Sequence, residues 1–429
     1  MVVTGKQFKP EGCLRGGIMA DNVRDRGFIT LNFLSIYIAS CIFYGAYFYF
    51  MPVFPIVLQR AGYGGTESGI VVGAFSFTAI FLRPFVGTLV DRFQRKIFML
   101  AGIGIFVIAP LLYITTSSLV LLTVYRLLHG LGLAAYTVSS LVTITEIVPR
   151  ERLARAVAVY ATCVSLAVGF GPTVGMKLAA SASFKLVVLI PSLAAALAFI
   201  LILRLPGSQV MAVREERQPF LAVLASRDVL FPSLIFASCS CTQGGVMSFL
   251  PLAIAHLAST GIASLFFLIF SLVIIFVRLT MGGLSDKVGR VMVIVPAVSL
   301  IALGMMGLSV LHTPAFLIAV AVVYGLGYGL SYPTLNVYVV EHAPAGSRGT
   351  ALGIFSASVD TGYFLGPILT GLLSDFFSYR GAFFALAWLP LLTLLLFLYV
   401  LFRACGRIPS GRPEVGLRAG GHESMSPGD

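Results

Sequence analysis

The sequence predicts an all-helical membrane protein, with 12 transmembrane helices in two pseudo-symmetric six-helix bundles. Composition, the spacing of the apolar runs and an internal repeat each point there. Of 429 residues, 58% are hydrophobic and only 11% are charged, against about 25% charged in an average soluble domain. Twelve spans of about 21 residues require about 250 apolar-compatible positions, close to what the hydrophobic fraction supplies, and the mean hydropathy is +0.98. These values exclude a soluble enzyme, a nucleic-acid-binding module and a disordered chain. The net charge of +12 must then be explained by a membrane and not by DNA.

The apolar runs break at polar or turn-rich points. They give spans at 28–57, 66–90, 96–116, 119–146, 153–178 and 184–204, then 229–255, 261–284, 291–311, 314–341, 349–373 and 380–402. Several exceed 25 residues, which implies tilt or ends projecting beyond the lipid. An N-tail over 1–26 precedes a first bundle at 27–204. A polar central loop at 205–228, containing Arg214, Glu215, Glu216 and Arg217, leads to a second bundle at 229–402. The tail at 403–429 is rich in Gly, Pro and Ser and is expected to be disordered. No cleavable leader is expected, because Lys6, Lys9, Arg15, Arg24 and Arg26 scatter over a polar stretch before the first span.

Orientation follows from the basic residues. With the N-terminus inside, 22 of the 29 Lys and Arg residues fall on the cytoplasmic side, and only Arg60, Lys177, Lys185 and Arg380 on the other. Both termini are therefore expected in the cytoplasm, with the chain in the cytoplasmic (inner) membrane. The six cysteines (13, 41, 163, 239, 241, 405) have no ligand spacing. Neither a disulfide framework nor a metal site is expected.

The second half repeats the first at an ungapped offset of 195. Phe81-Leu-Arg-Pro-Phe-Val-Gly-Thr-Leu-Val-Asp-Arg-Phe-Gln-Arg95 lies over Phe276-Val-Arg-Leu-Thr-Met-Gly-Gly-Leu-Ser-Asp-Lys-Val-Gly-Arg290, identical at six of fifteen positions. The same offset pairs Gly130 and Gly132 with Gly325 and Gly327, Glu146 with Glu341, Pro149 with Pro344, and Gly171-Pro172 with Gly366-Pro367. A duplicated six-helix half suits a secondary transporter whose site lies between the halves.

Gly87-Thr-Leu-Val-Asp91-Arg-Phe-Gln-Arg95-Lys96 resembles the loop 2–3 signature of the major facilitator superfamily, Gly-x-Leu-x-Asp-Arg-x-Gly-Arg-Arg/Lys. Gln94 replaces the second glycine, which Gly289 keeps in the second copy. Leu122-Thr-Val-Tyr-Arg126-Leu-Leu-His129-Gly130-Leu-Gly132 is similar to the helix 4 signature, with His129 where Gln is usual. Gly171-Pro172-Thr-Val-Gly175 is similar to the antiporter signature of helix 5, with Ala167 in place of its first glycine. The resemblance covers about 28–402 and implies the drug/metabolite:proton antiporter branch.

Ionisable groups inside spans are costly unless paired or wet, so each is a functional candidate. Charges present in both halves suit a gating scaffold. These are Asp91 with Asp286, Arg95 with Arg290, Glu146 with Glu341, and Arg83 with Arg278. Arg83 and Arg278 sit eight residues before the aspartates, about 12 Å deeper, and are expected to complete one network with Glu146 and Glu341 as carboxylate partners, the alternative being that they snorkel to the cytoplasm. A static staple with helix-end charges is the bland alternative. Charges in one half only suit substrate or proton. Arg126 has Ala321 as its counterpart, cannot shed its proton, and needs an acid, carbonyls or an anion. His129, one turn on, could make it proton-responsive, or simply pack. Asp360, opposite Ser165 by the offset, lies 12 residues beyond Arg348, about 18 Å into helix 11. It is the candidate proton or substrate carboxylate.

Gly171, Pro172 and Gly175 in helix 5, and Gly362, Gly366 and Pro367 in helix 11, suit either paired kinks for rocking or tight packing. Asn32 and Tyr44 of helix 1 and Gln243 of helix 7 are cavity candidates. Neither helix carries an acid, whereas family members that export lipophilic cations often place one in helix 1. A neutral or anionic metabolite is therefore the better expectation. No nucleophile–base set, P-loop or metal motif appears, so the chain is not expected to be an enzyme or to need a cofactor. The expected activity is proton-coupled efflux of a small organic solute by alternating access, with the proton gradient as energy source. The alternatives are a proton symporter importing an organic anion or sugar, and a non-transporting membrane receptor. The expected partners are a small-molecule substrate and the lipid bilayer, with no nucleic acid, and the chain is expected to be a monomer.

Overall fold

In the computed structural model, residues 29–90, 92–149, 152–206, 220–255, 260–281, 283–344 and 347–405 are described. Among them, eleven continuous helices are long and apolar enough to cross a membrane. We label them α1 (Leu31–Arg60), α2 (Gly65–Val90), α3 (Arg95–Leu112), α4 (Leu119–Ile147), α5 (Leu153–Ser181), α6 (Phe184–Leu203), α7 (Arg227–Ala253), α8 (Thr260–Thr280), α9 (Arg290–Ser309) and α10 (Pro314–His342). The last run, Arg348–Cys405, is divided by Ser378 (φ 68°, ψ 166°) into α11 and α12, giving the twelve expected passes. Asp91 and the greater part of the N-tail, central loop and C-tail lie outside the described residues.

Local chemistry sets the ends. The first helix starts at Leu31 rather than at 28, because Thr30 accepts a hydrogen bond from Phe33 N–H at 3.2 Å. It runs to Arg60, where Gly62 (φ +89°) closes the turn and Tyr63 N–H reaches back to the Leu58 carbonyl. Gly289 stands at φ +95° ahead of α9, a backbone that glycine adopts without strain. Its counterpart Gln94 sits at φ −61°. The first copy of the loop thus uses a different backbone and has no need of the missing glycine.

The repeat is visible in the packing. Gly130 of α4 lies against the Phe75 carbonyl of α2, as Gly325 of α10 lies against the Phe270 carbonyl of α8. Gly132 meets the Gly102 carbonyl, and Gly327 the Ala297 carbonyl. Every one of these partners obeys the offset of 195, so a Cβ at any of the four glycines would drive the same two helices apart. The halves meet through α2 against α11, α5 against α8, and α1 against α7. Large apolar side chains such as Phe81, Leu193, Leu279, Trp388 and Phe402 stay exposed on the outer surface, as a lipid-facing belt requires.

Candidate functional site

The described carboxylate deepest in the junction between the halves belongs to Asp360 on α11, 3% exposed. It does not meet Arg126. Arg83 of α2 reaches it from the other half, with Nε 2.7 Å from Oδ2 and Nη2 donating to Oδ1 at 3.0 Å. The Nη2 contact is a charge-assisted hydrogen bond, and the Nε contact adds close charge–charge approach without hydrogen-bond alignment. The pair lies where the junction parts. On one side of it the two helices are in backbone contact: Gly73 with the Phe364 carbonyl, Gly69 with Pro367, and Gly65 with Gly371. On the other side, towards the Arg-rich ends, Gly87, Gly349 and Gly353 have nothing within 4 Å. Gly353 lies five turns before Gly371 and so shares its face. The two helices therefore touch at one end and stand apart at the basic end.

The offset of 195 carries Arg83 to Arg278 and Asp360 to Ser165, and those two residues also meet. Arg278 Nη1 of α8 donates to Ser165 Oγ of α5 at 3.0 Å. Its guanidinium lies 5.7 Å from the ring centre of Tyr332 on α10. The same cross-half contact thus occurs twice, once with an acid and once with a hydroxyl.

Arg83 and Arg278 do not join the network at the basic helix ends, contrary to the sequence expectation. They point into the junction because a partner on the opposite half sits at the same depth. Glu146 and Glu341 serve other arginines. Arg95 Nη1 is 2.5 Å from Glu146 Oε1, and Arg290 binds Glu341 through Nη2 at 2.7 Å and Nε at 3.1 Å. Arg290 also pairs with Asp286. The two Arg–Glu pairs are duplicated at the same offset, and each lies within one half.

Arg126 is 1% exposed. Its Nε and Nη2 donate to the Val71 and Val72 carbonyls of α2 at 3.2 Å each, and its guanidinium stacks 4.6 Å from the centre of Phe75 and 4.9 Å from Phe54. Carbonyls and ring faces, rather than an acid, hold this cation. His129 Nδ1 lies 2.7 Å from the Tyr113 hydroxyl within a ring of Phe50, Phe75 and Phe106. Gly171 and Gly175 of α5 pack on α1 at Gly45 and Tyr49, and Gly362 and Gly366 of α11 pack on α7 at Ala237 and Cys241. Pro172 and Pro367 sit inside continuous helices. These glycines draw helices together within each half. Asn32 lines a small cavity at the basic end with Lys96, Met99 and Thr143, away from the junction. Tyr44 is half-buried and Gln243 buried.

Sequence reasoning missed Asp375, in the last turn of α11. Its carboxylate accepts from Gly65 N–H at 2.8 Å, Thr66 N–H at 2.9 Å and Thr66 Oγ1 at 2.5 Å. It therefore caps the N-terminus of α2 across the halves, where the helix dipole favours an anion. Nothing in a single sequence marks it, because Ala180 occupies the counterpart position and the expected span ended at 373. Gly65, Gly69 and Gly73 were likewise passed over, although their spacing of four marks one helix face.

Two helical bundles thus meet through a cross-half contact that the internal repeat duplicates. The sequence profile of the Major Facilitator Superfamily matches residues 36–358 and 241–424. The chain belongs to that superfamily and is a multi-pass membrane transporter, not an enzyme. It is 24% identical to the staphylopine export protein of Staphylococcus aureus, over 91% of this chain and all of that one. It is 25% identical to multidrug resistance protein 1 of Bacillus subtilis, over 76% of this chain and 85% of that one. Among solved structures, it superposes on a bacterial homologue of the human lysosomal transporter Spinster with a TM-score of 0.74 at 13% identity, covering 87% and 97% of the two chains. With the nucleoside transporter NupG the TM-score is 0.72 at 14% identity, covering 86% and 99%.

Proposed function

We propose that this transporter exports a small organic solute across the cytoplasmic membrane in exchange for protons, with both termini in the cytoplasm. On that orientation the open basic end makes the structure inward-facing. The observation that carries the reading is the Arg83–Asp360 pair, which joins the halves at the lip of the opening. Protonating Asp360 removes the ion pair, so proton binding and the equilibrium between the two facings are one linked process. A proton taken up from outside and released inward can then drive the return step, while the solute travels outward. The kinship with an export protein and a multidrug resistance protein supports the direction.

The test is flux in proteoliposomes under an imposed pH gradient, screened over metabolites and drugs at two pH values. Solute moving against the proton flow supports exchange. Uptake in the same direction as the protons would make the protein a symporter, and binding without flux would make it a receptor.

A further inference from the structure

We propose that Arg278 is a recognition site for the carboxylate of an anionic solute, which takes the place that an aspartate holds in the other half. The inference rests on the export reading and adds the class of cargo.

The internal symmetry supplies the argument. Arg83 meets Asp360 across the junction, and the repeat turns that contact into Arg278 against Ser165. The hydroxyl satisfies Nη1 but contributes no negative charge. A guanidinium in a span keeps its proton, so it retains a full positive charge that an acid, a carbonyl set or an anion must balance. Of the described carboxylates in the junction and at the basic end, Asp360 is committed to Arg83, Asp286 and Glu341 to Arg290, and Glu146 to Arg95. Arg126 faces a similar need and has two backbone carbonyls and two ring faces, with Nη1 left unpartnered, whereas Arg278 has one hydroxyl and one ring.

Position makes the site usable. Arg278 lies in the last turn of α8 towards the basic end, at the position equivalent to Arg83 at the lip of the opening. It is half-buried, so a solute entering from that end can reach it. A carboxylate is the matching group, because a guanidinium offers two parallel N–H donors in a fixed fork. Tyr332, half-buried under the guanidinium, adds an aromatic face for an organic body. The cross-half contact would then be completed by the cargo on one side of the molecule and by Asp360 on the other.

The test uses the full chain in detergent, with no pH gradient, and follows thermal unfolding with benzoate, phenylacetate, salicylate or citrate against benzamide. At least one carboxylate should raise the wild-type Tm in a dose-dependent way while benzamide does not. Arg278→Gln should weaken the apparent affinity at least tenfold, and Arg278→Lys should weaken it less. Ser165→Asp keeps the arginine and supplies the missing acid, so it should fold, raise Tm without ligand and abolish the response to carboxylate. Stabilisation by none of the four carboxylates, an equal effect of benzamide, or an undiminished response in Ser165→Asp would each overturn the proposal. Because these variants leave Arg83 and Asp360 intact and need no gradient, failure here leaves proton coupling standing. Failure of coupling in the flux assay equally leaves this binding result untouched.

Discussion

Asp360 and Arg126 are both fully buried charges, yet their surroundings assign them different work. Asp360 has one charged partner, on the opposite half, so changing its proton changes a bond between halves. Asp360→Asn should therefore abolish the pH dependence of transport while solute exchange survives; flux with wild-type pH dependence would remove Asp360 from coupling. Arg126 is clamped inside the first half by the carbonyls of Val71 and Val72 and the rings of Phe54 and Phe75. A lysine cannot reproduce that planar fork. Arg126→Lys should lower stability by about 2 kcal/mol, as expected for lost hydrogen bonds to a charged group, with the pH dependence of transport retained. An SDS-unfolding midpoint equal to wild type would contradict the clamp. The sequence identified both residues as charges inside spans, but not their partners. Arg83 lies 277 positions from Asp360 in the chain, and only the packing of α2 on α11 brings them together.

At the scale of elements, the sealed end depends on glycine faces and one cap. Gly69 lies against the backbone at Pro367, and Asp375 closes the N-terminus of α2. Asp375→Ala and Gly69→Leu should each loosen this end, measured as faster labelling of a cysteine placed at Phe364 by a membrane-impermeant thiol reagent. Unchanged labelling in both would show that the seal rests on other contacts. The turn between α11 and α12 places Ser378 in a region (φ 68°, ψ 166°) that glycine almost alone adopts, at a cost of about 1–3 kcal/mol. Ser378→Gly should raise Tm, and a lower Tm would show that the side chain is needed there. The helices themselves were readable from apolar runs to within a few residues at each end. Their mutual approach was readable only where motifs were duplicated, as at Gly130 and Gly325. The contacts of Gly65, Gly69, Gly73 and Asp375 have no duplicate and followed only from the fold.

For the whole molecule, symmetry carries most of the description, and its breaks carry the function. The pairs Arg95–Glu146 and Arg290–Glu341 repeat faithfully and stay within their halves. The cross-half pair repeats in position but not in charge, with Asp360 on one side and Ser165 on the other. The offset of 195 made both correspondences visible in the sequence. What the sequence could not convey was that Arg83 and Arg278 face the junction rather than the helix-end network, since depth along a helix does not reveal which neighbour lies across it. The central claim is that the proton on Asp360 sets which end of the junction is open. It is tested most directly by the distance between spin labels at Phe93 and Val288, equivalent exposed positions at the basic ends of the two halves, in a cysteine-free background at pH 5.5 and 8.5. The wild type should shift towards shorter distances in acid, as the basic end closes, and Asp360→Asn should give the acid distribution at both pH values. Identical distributions at the two pH values in wild type, or an undiminished pH response in Asp360→Asn, would contradict it.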